Sequence, residues 1–180
     1  MKILVMSDTH GELEKTRRIL ENSEPVNIFI HLGDIGFPLQ ELSKFHLVCG
    51  NHDKDSSLPL ELIMDLEERK VLCIHGNRFD DETILEVLSQ KNIKSEDLMD
   101  FCMSTLYGKI ASYAKRKGCD TVFFGHTHHQ FSGVVDGVTL VNPGSVCFGT
   151  PQSGYAIVEI QHMEMVTRLY HCDEESGLDS

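Results

Sequence analysis

Basic residues are scarce: 16 Lys and Arg stand against 28 Asp and Glu, for a formal net charge of −12. That balance excludes a broad nucleic-acid or anionic-membrane surface, because phosphate backbones are held by basic patches. It does not exclude phosphate chemistry at a small site, since bound divalent cations reverse the local field. Long apolar runs are missing too. No uninterrupted stretch reaches the roughly 18 residues of a membrane span. The first strand is expected to start at Lys2, with no room for a signal peptide before it. The six cysteines (Cys49, Cys73, Cys102, Cys119, Cys147, Cys172) include no C-x-x-C pair. Cys49, Cys73 and Cys119 fall in or beside apolar runs and are expected to be buried, reduced thiols. A cytoplasmic location follows from these absences. The chain also lacks internal repeats, low-complexity tracts and linkers. A single domain over residues 1–180 is therefore expected, large enough to bury about 70% of its unfolded surface.

What is present is an alternation of short apolar runs with amphipathic segments, the pattern of an α/β domain. KILVM (Lys2–Met6) reads as a strand, and Glu12–Asn22 as a helix with Leu13, Thr16, Ile19 and Leu20 on one face. NIFIHL, FHLVC, KVLCI and TVFF are nearly all apolar, as expected of parallel strands covered on both faces. From about Gly133 the segments GVVDGVTLVN, SGYAIVEI and EMVTRLYH read as antiparallel strands, with Asp136-Gly137 as a hairpin turn. The polar tail DEESGLDS is expected to fray. Between His75-Gly76 and Thr121 the pattern is helical. Ile84, Leu85, Val87 and Leu88 follow the acidic start Asp80-Asp81-Glu82. Leu98, Phe101, Cys102, Ile110 and Tyr113 mark a second helix, continuous or interrupted, with Gly118 as its C′ residue. Two helices exceed what a crossover needs, which leaves a cap over a site, an oligomer contact or a solvated hairpin open.

The chemistry lies where the strands stop. KILVM runs into Asp8-Thr9-His10, NIFIHL into Gly33-Asp34, and FHLVC into Gly50-Asn51-His52-Asp53. KVLCI runs into His75-Gly76, and TVFF into Gly125-His126-Thr127-His128. In a parallel sheet the carboxyl ends lie along one edge, where α/β proteins bind ligands. Any one of these endings has a plain structural explanation: Asp8 could cap the next helix, and His75 could be a satisfied core histidine. Together they place carboxylates and imidazoles at one edge at a cost that metal ions would relieve.

These motifs, in this order, resemble the calcineurin-like metallophosphoesterase superfamily. The compact size and Asn142-Pro143-Gly144-Ser145 resemble its small bacterial and archaeal phosphodiesterase branch. The resemblance implies a metallophosphoesterase-like two-sheet β-sandwich flanked by helices, four layers in the order αββα, with a helical insertion around 80–118. It also implies two divalent metal ions per chain, bridged by Asp34. Asp8, His10 and His128 would complete one site; Asn51, His75 and His126 would complete the other. Oxygen and nitrogen donors without thiolate suit Mn²⁺ first, then Fe, Ni, Co or Zn.

A hydroxide bridging the ions would attack a small phosphoester, most simply a diester, with His52 as general acid. Small members often lack a histidine after Gly-Asn, so His52 is a departure that favours protonation of a poor leaving group. Asp53 would orient that ring or act as a turn residue. His31 and His46 are expected to be structural. His129, His162 and His171 lack motif support, though His129 is close enough to line a pocket. One rival is a phosphomonoesterase acting on a nucleotide or protein phosphate, which would want a basic pocket; Lys54 and Arg78 are the nearest cations in sequence. The other is a non-catalytic scaffold resembling a retromer subunit. A homo-oligomer is compatible with all three.

Overall fold

The computed structural model describes residues 1–54, 57–89, 98–149 and 152–172. The tail expected to fray lies outside the described residues, as do the side chains of Ile84, Leu85 and Leu88. The first sheet contains β1 (Lys2–Met6), β2 (Ile28–His31), β3 (Phe45–Leu47), β9 (Gly154–Gln161) and β10 (Glu164–His171), in the order β10-β9-β1-β2-β3. The second contains β4 (Glu61–Leu66), β5 (Arg69–Ile74), β6 (Thr121–Phe124), β7 (Phe131–Val135) and β8 (Val138–Asn142), in the order β4-β5-β6-β8-β7. Each sheet has a parallel centre, β1-β2-β3 in one and β5-β6-β8 in the other, with antiparallel strands added outside.

Successive strand residues point to opposite faces, and this explains why the central strands are apolar throughout. Ile3 and Val5 of β1 meet Val71 and Cys73 of β5, Phe123 of β6 and Val141 of β8 in the core between the sheets. Leu4 and Met6 point the other way, onto Ile19 of α1 (Leu13–Asn22). Across the second sheet Leu72, Ile74, Val122 and Phe124 pack under Leu106, Tyr107, Ile110, Ala111 and Ala114 of α3 (Leu98–Arg116). The result is the expected four-layer αββα sandwich. The helical segment supplies its fourth layer, so α3 is not a solvated hairpin arm.

Four details differ from the sequence expectations. The helix α3 is unbroken, and Leu98 is exposed at its start while the buried stripe begins at Leu106. It ends as expected: the Cys119 N–H donates to the Ala114 carbonyl (2.9 Å) and the Gly118 N–H to that of Lys115 (3.0 Å), with Gly118 at φ +71°. β4 carried no recognisable signal, because its turn into β5 uses Glu67 at φ +53° instead of glycine. The Asp136-Gly137 hairpin forms, but it inserts β8 beside β6 in parallel and leaves β7 on the edge. Among the thiols, Cys73 and Cys119 are buried and Cys49 is half-buried. Burial pushes the Cys73 thiol up to about 12, so it stays protonated and inert.

Candidate metal centre

The five polar strand ends belong to two sheets, β1, β2 and β3 in one and β5 and β6 in the other, and they converge at one end of the sandwich. Asp8 and Asp34 are almost fully buried. Among the described residues neither pairs with Lys or Arg; the imidazoles within 4 Å of their carboxylates are those of His10, His75 and His128. The Nε2 atoms of His10 and His128 lie 3.4 Å apart, and Asp8 Oδ1 is 3.1 Å from the latter and 3.8 Å from the former. On the other side, His75 Nε2 lies 3.0 Å from Asn51 Oδ1 and 3.4 Å from Asp34 Oδ2. Donor atoms each about 2.1 Å from one ion stand about 3.0 Å apart at a right angle and about 3.4 Å apart at the tetrahedral angle. The observed spacings fit donors that face a shared cation.

Asp8, His10 and His128 form one group that could hold an ion; Asp8, Asp34 and His75 form a second. The Asp34 Oδ2 atom lies between them, 3.9 Å from His10 Nε2 and 3.4 Å from His75 Nε2. Asp8 also reaches both groups, since its Oδ1 is 4.0 Å from His75 Nε2. His75 donates from Nδ1 to the Leu32 carbonyl (2.8 Å), which leaves Nε2 facing the oxygens. His126 packs edge-on to His75 with centroids 5.1 Å apart, and its backbone N–H donates to Asp8 Oδ2. Its ring does not join either of the two groups.

Charge interactions in the metal-free chain are consistent with this placement. Burial raises Asp34, but the hydrogen bond and charge of His75 and the His52 N–H outweigh it and bring the carboxyl down to about 2. Asp8 is also lowered, burial being overcome by His128, His75 and Ser7. Burial lowers His75, yet Asp34 and Asp8 leave it above the ordinary histidine value. His126 is held below that value by burial and by the charge on His75.

Backbone strain concentrates here. Among the described residues eight non-glycine positions have positive φ, and five are Asp8, His10, Asp34, His126 and His128. The other three, Glu67, Asp136 and His162, lie in turns between strands. Left-handed backbone costs an L-residue about 1–2 kcal/mol, and such strain collects at functional sites. Two glycines make the geometry feasible: a Cβ at Gly50 would run into the Asp34 carboxylate, and one at Gly125 into Ser7 and Asp8.

His52 is exposed, its ring edge-on to His10 with centroids 5.4 Å apart. Asp53 does not orient it. Both Asp53 oxygens accept backbone N–H groups, from Asp34, Ile35 and Gly50, each at 2.8 Å, so Asp53 staples the loops after β2 and β3. Nor does Asp8 cap α1, which has no side-chain cap. His31 is buried, accepting from the Gly33 N–H at Nδ1 and donating from Nε2 to Thr9 Oγ1 (3.0 Å), a structural role. His46 and His162 are exposed.

The placement of three residues at the centre was not found from sequence. Asn142 Nδ2 donates to the Gly125 carbonyl and to Thr127 Oγ1, each at 3.0 Å, and so holds the 125–128 loop. Phe148, 63% exposed, sits with its ring centroid 4.5 Å from that of His128 and 6.1 Å from that of His10. Asp80 Oδ2 lies 3.3 Å from His126 Nε2. Asn142 had a weak signal in the Asn-Pro-Gly turn. A lone phenylalanine and one acid in an acidic run had none.

Comparison with known proteins identifies the family and the fold. The family model of the calcineurin-like phosphoesterase superfamily domain matches residues 1–163. A phosphodiesterase of Methanocaldococcus jannaschii is 30% identical over 156 residues, covering 82% of this chain and 85% of that protein. A conserved Streptococcus pneumoniae protein described as a predicted phosphoesterase superposes with a TM-score of 0.73 at 22% identity, over 96% of this chain and 90% of that one. Vps29 of Chaetomium thermophilum superposes with a TM-score of 0.65 at 15% identity, over 93% and 85% of the two chains. At these identities the two structures show the shared fold alone.

Proposed function

The chain belongs to the calcineurin-like phosphoesterase superfamily, and from that premise we propose that it is a binuclear metal-dependent phosphoesterase acting preferentially on small phosphodiesters. The observation that carries this reading is the convergence of six metal-competent side chains from two sheets, Asp8, His10, Asp34, Asn51, His75 and His128, with donor spacings of 3.0–3.4 Å around two centres. Asp8, His10 and His128 would hold one ion, and Asn51, His75 and His126 the other. Asp34 would lie between them. Two divalent ions, Mn²⁺ first by donor type, would supply positive charge for the phosphoryl oxygens and make water available as a nucleophile near neutral pH.

The chain's own residues would do the rest. His52, exposed at the rim beside His10, is placed to give a proton to the leaving alkoxide. Phe148, exposed beside His128 and His10, offers an apolar surface for an organic substituent. Arg78, a candidate for binding a dianion, is instead turned onto the rings of Phe79 (4.5 Å) and Tyr113 (4.0 Å). The exposed Phe148 face, with Arg78 turned away, suits a diester monoanion better than a monoester dianion. The single domain with a helical insertion around 80–118 belongs to the same reading, α3 serving as an outer layer.

The test is a substrate panel with defined metals, covering monoesters, aryl diesters, cyclic nucleotides and short oligonucleotides, run beside metal analysis. Wild type should carry two ions per chain. Asp34→Asn should lose affinity at both sites, and Asp8→Ala and His126→Ala should abolish turnover while leaving the far-UV spectrum unchanged. Full turnover in both alanine variants would mean that these residues do not carry the activity, and would sink this hydrolase reading or reveal a contaminating phosphatase.

A further inference from the structure

The helix α2 (Asn77–Ser89) starts two residues after His75, and its first turn carries Asp80. The Asp80 carboxylate reaches out of the helix to Nε2 of His126, with Oδ2 at 3.3 Å and 39% of the side chain exposed. No motif requires an acid here, since its neighbours Asp81 and Glu82 continue an acidic first turn that the helix dipole already favours. The direction of Asp80, toward an imidazole at the centre instead of toward solvent, is what needs a reason.

A histidine that ligates a metal through one ring nitrogen donates its other N–H to a carboxylate or carbonyl, which fixes tautomer and ring orientation and raises the basicity of the ligating nitrogen. His75 shows this arrangement, with Nδ1 on the Leu32 carbonyl and Nε2 toward the donors. His126 shows the mirror case. Its Nε2 is engaged by Asp80, so Nδ1 is the nitrogen left with a lone pair, on a ring packed 5.1 Å from that of His75. His126 also needs such an anchor. Its backbone is in the left-handed region at φ +68°, on a loop, and its main-chain N–H is tied to Asp8.

We propose that Asp80 is a positioning residue for the second metal ion: by accepting the Nε2–H of His126 it holds that ring with Nδ1 presented to the ion. The helical insertion thereby takes part in the centre through its first turn. This inference rests on the binuclear reading above, and it assigns to the chain a residue outside the seven candidate ligands.

The experiment measures metal binding, independently of turnover. Titration calorimetry with Mn²⁺ on metal-stripped protein resolves the affinities of wild type, Asp80→Ala, Asp80→Asn, His126→Ala and the double variant Asp80→Ala/His126→Ala. Asp80→Ala should weaken one ion about 10–100-fold and leave the other within error. Asp80→Asn, whose carbonyl oxygen still accepts the N–H, should recover part of the loss. In the His126→Ala background, removing Asp80 should change nothing further, because its effect passes through the ring. A further loss in that background would make Asp80 a direct ligand and overturn the positioning role. Two unchanged affinities in Asp80→Ala would overturn any role at the centre. Wild type binding a single ion would instead remove the binuclear reading, and this inference with it.

Discussion

At the scale of single residues, histidines in this chain divide by what their nitrogens meet. His31 hydrogen-bonds to the Gly33 N–H and the Thr9 hydroxyl, and burial, outweighing the nearby carboxylates, lowers it from 6.5 to about 4. The folded chain therefore refuses a proton that the unfolded chain accepts below 6.5. Stability from this group is complete above that value and drains away as pH falls toward 4, by about 3 kcal/mol in all. Urea midpoints measured in chelator across this range should fall more steeply for wild type than for His31→Gln. Parallel slopes would mean that another group carries the acid sensitivity. His52 is the opposite case, open to solvent beside His10 and proposed above as the proton donor. Its removal should matter most where the leaving group is poor. His52→Ala should lose about 10²–10⁴-fold on an alkyl or nucleotide diester, and far less on a nitrophenyl diester, with metal content unchanged. Equal losses on both substrates would assign His52 to phosphate binding or to structure.

At the scale of elements, the strands that end in ligand-type residues were legible because a doubly covered parallel strand is an apolar run, and polar residues after it stand out. KILVM, TVFF and EMVTRLYH match their strands residue for residue. β4 was illegible because its ELIMDL pattern is mixed, as befits an edge strand. The distribution of five endings over two sheets was also hidden, since no local pattern records which strands pair. Loops were read by their ligand-type residues and not by their supports, so the bracing roles of Asp53 and Asn142 emerged only from the hydrogen bonds they make. Asn142 joins the end of β8 to the loop after β6, and it is fully buried. Asn142→Ala would leave the Gly125 carbonyl and the Thr127 hydroxyl without it. The cost should be about 1–3 kcal/mol, seen as a lower urea midpoint in the metal-free protein. Metal affinity should fall too, because the strained His126 and His128 lose their brace. A stability loss with both affinities intact would show that the loop holds itself.

At the scale of the whole molecule, the centre lies across the seam of the sandwich. Asp8, His10, Asn51 and Asp34 follow strands of the first sheet, and His75, His126 and His128 follow strands of the second. Each proposed ion would therefore tie the two sheets together at the end where the loops are most strained. An ion that binds only the folded chain stabilises it by about 2.7 kcal/mol when present at 100 times its dissociation constant. In a chain of this size about 1 kcal/mol moves the melting temperature by about 2–4 °C, so each ion should add about 5–10 °C. Wild type should consequently melt well below its metal-loaded temperature when stripped by chelator, and Mn²⁺ should restore the difference. Asp8→Ala, which removes a donor central to the first group, should retain only part of that metal-dependent gain. A metal-independent melting temperature in wild type would mean that the sheets are held by their core alone, and that the convergence of donors at the seam is not a site for ions at all.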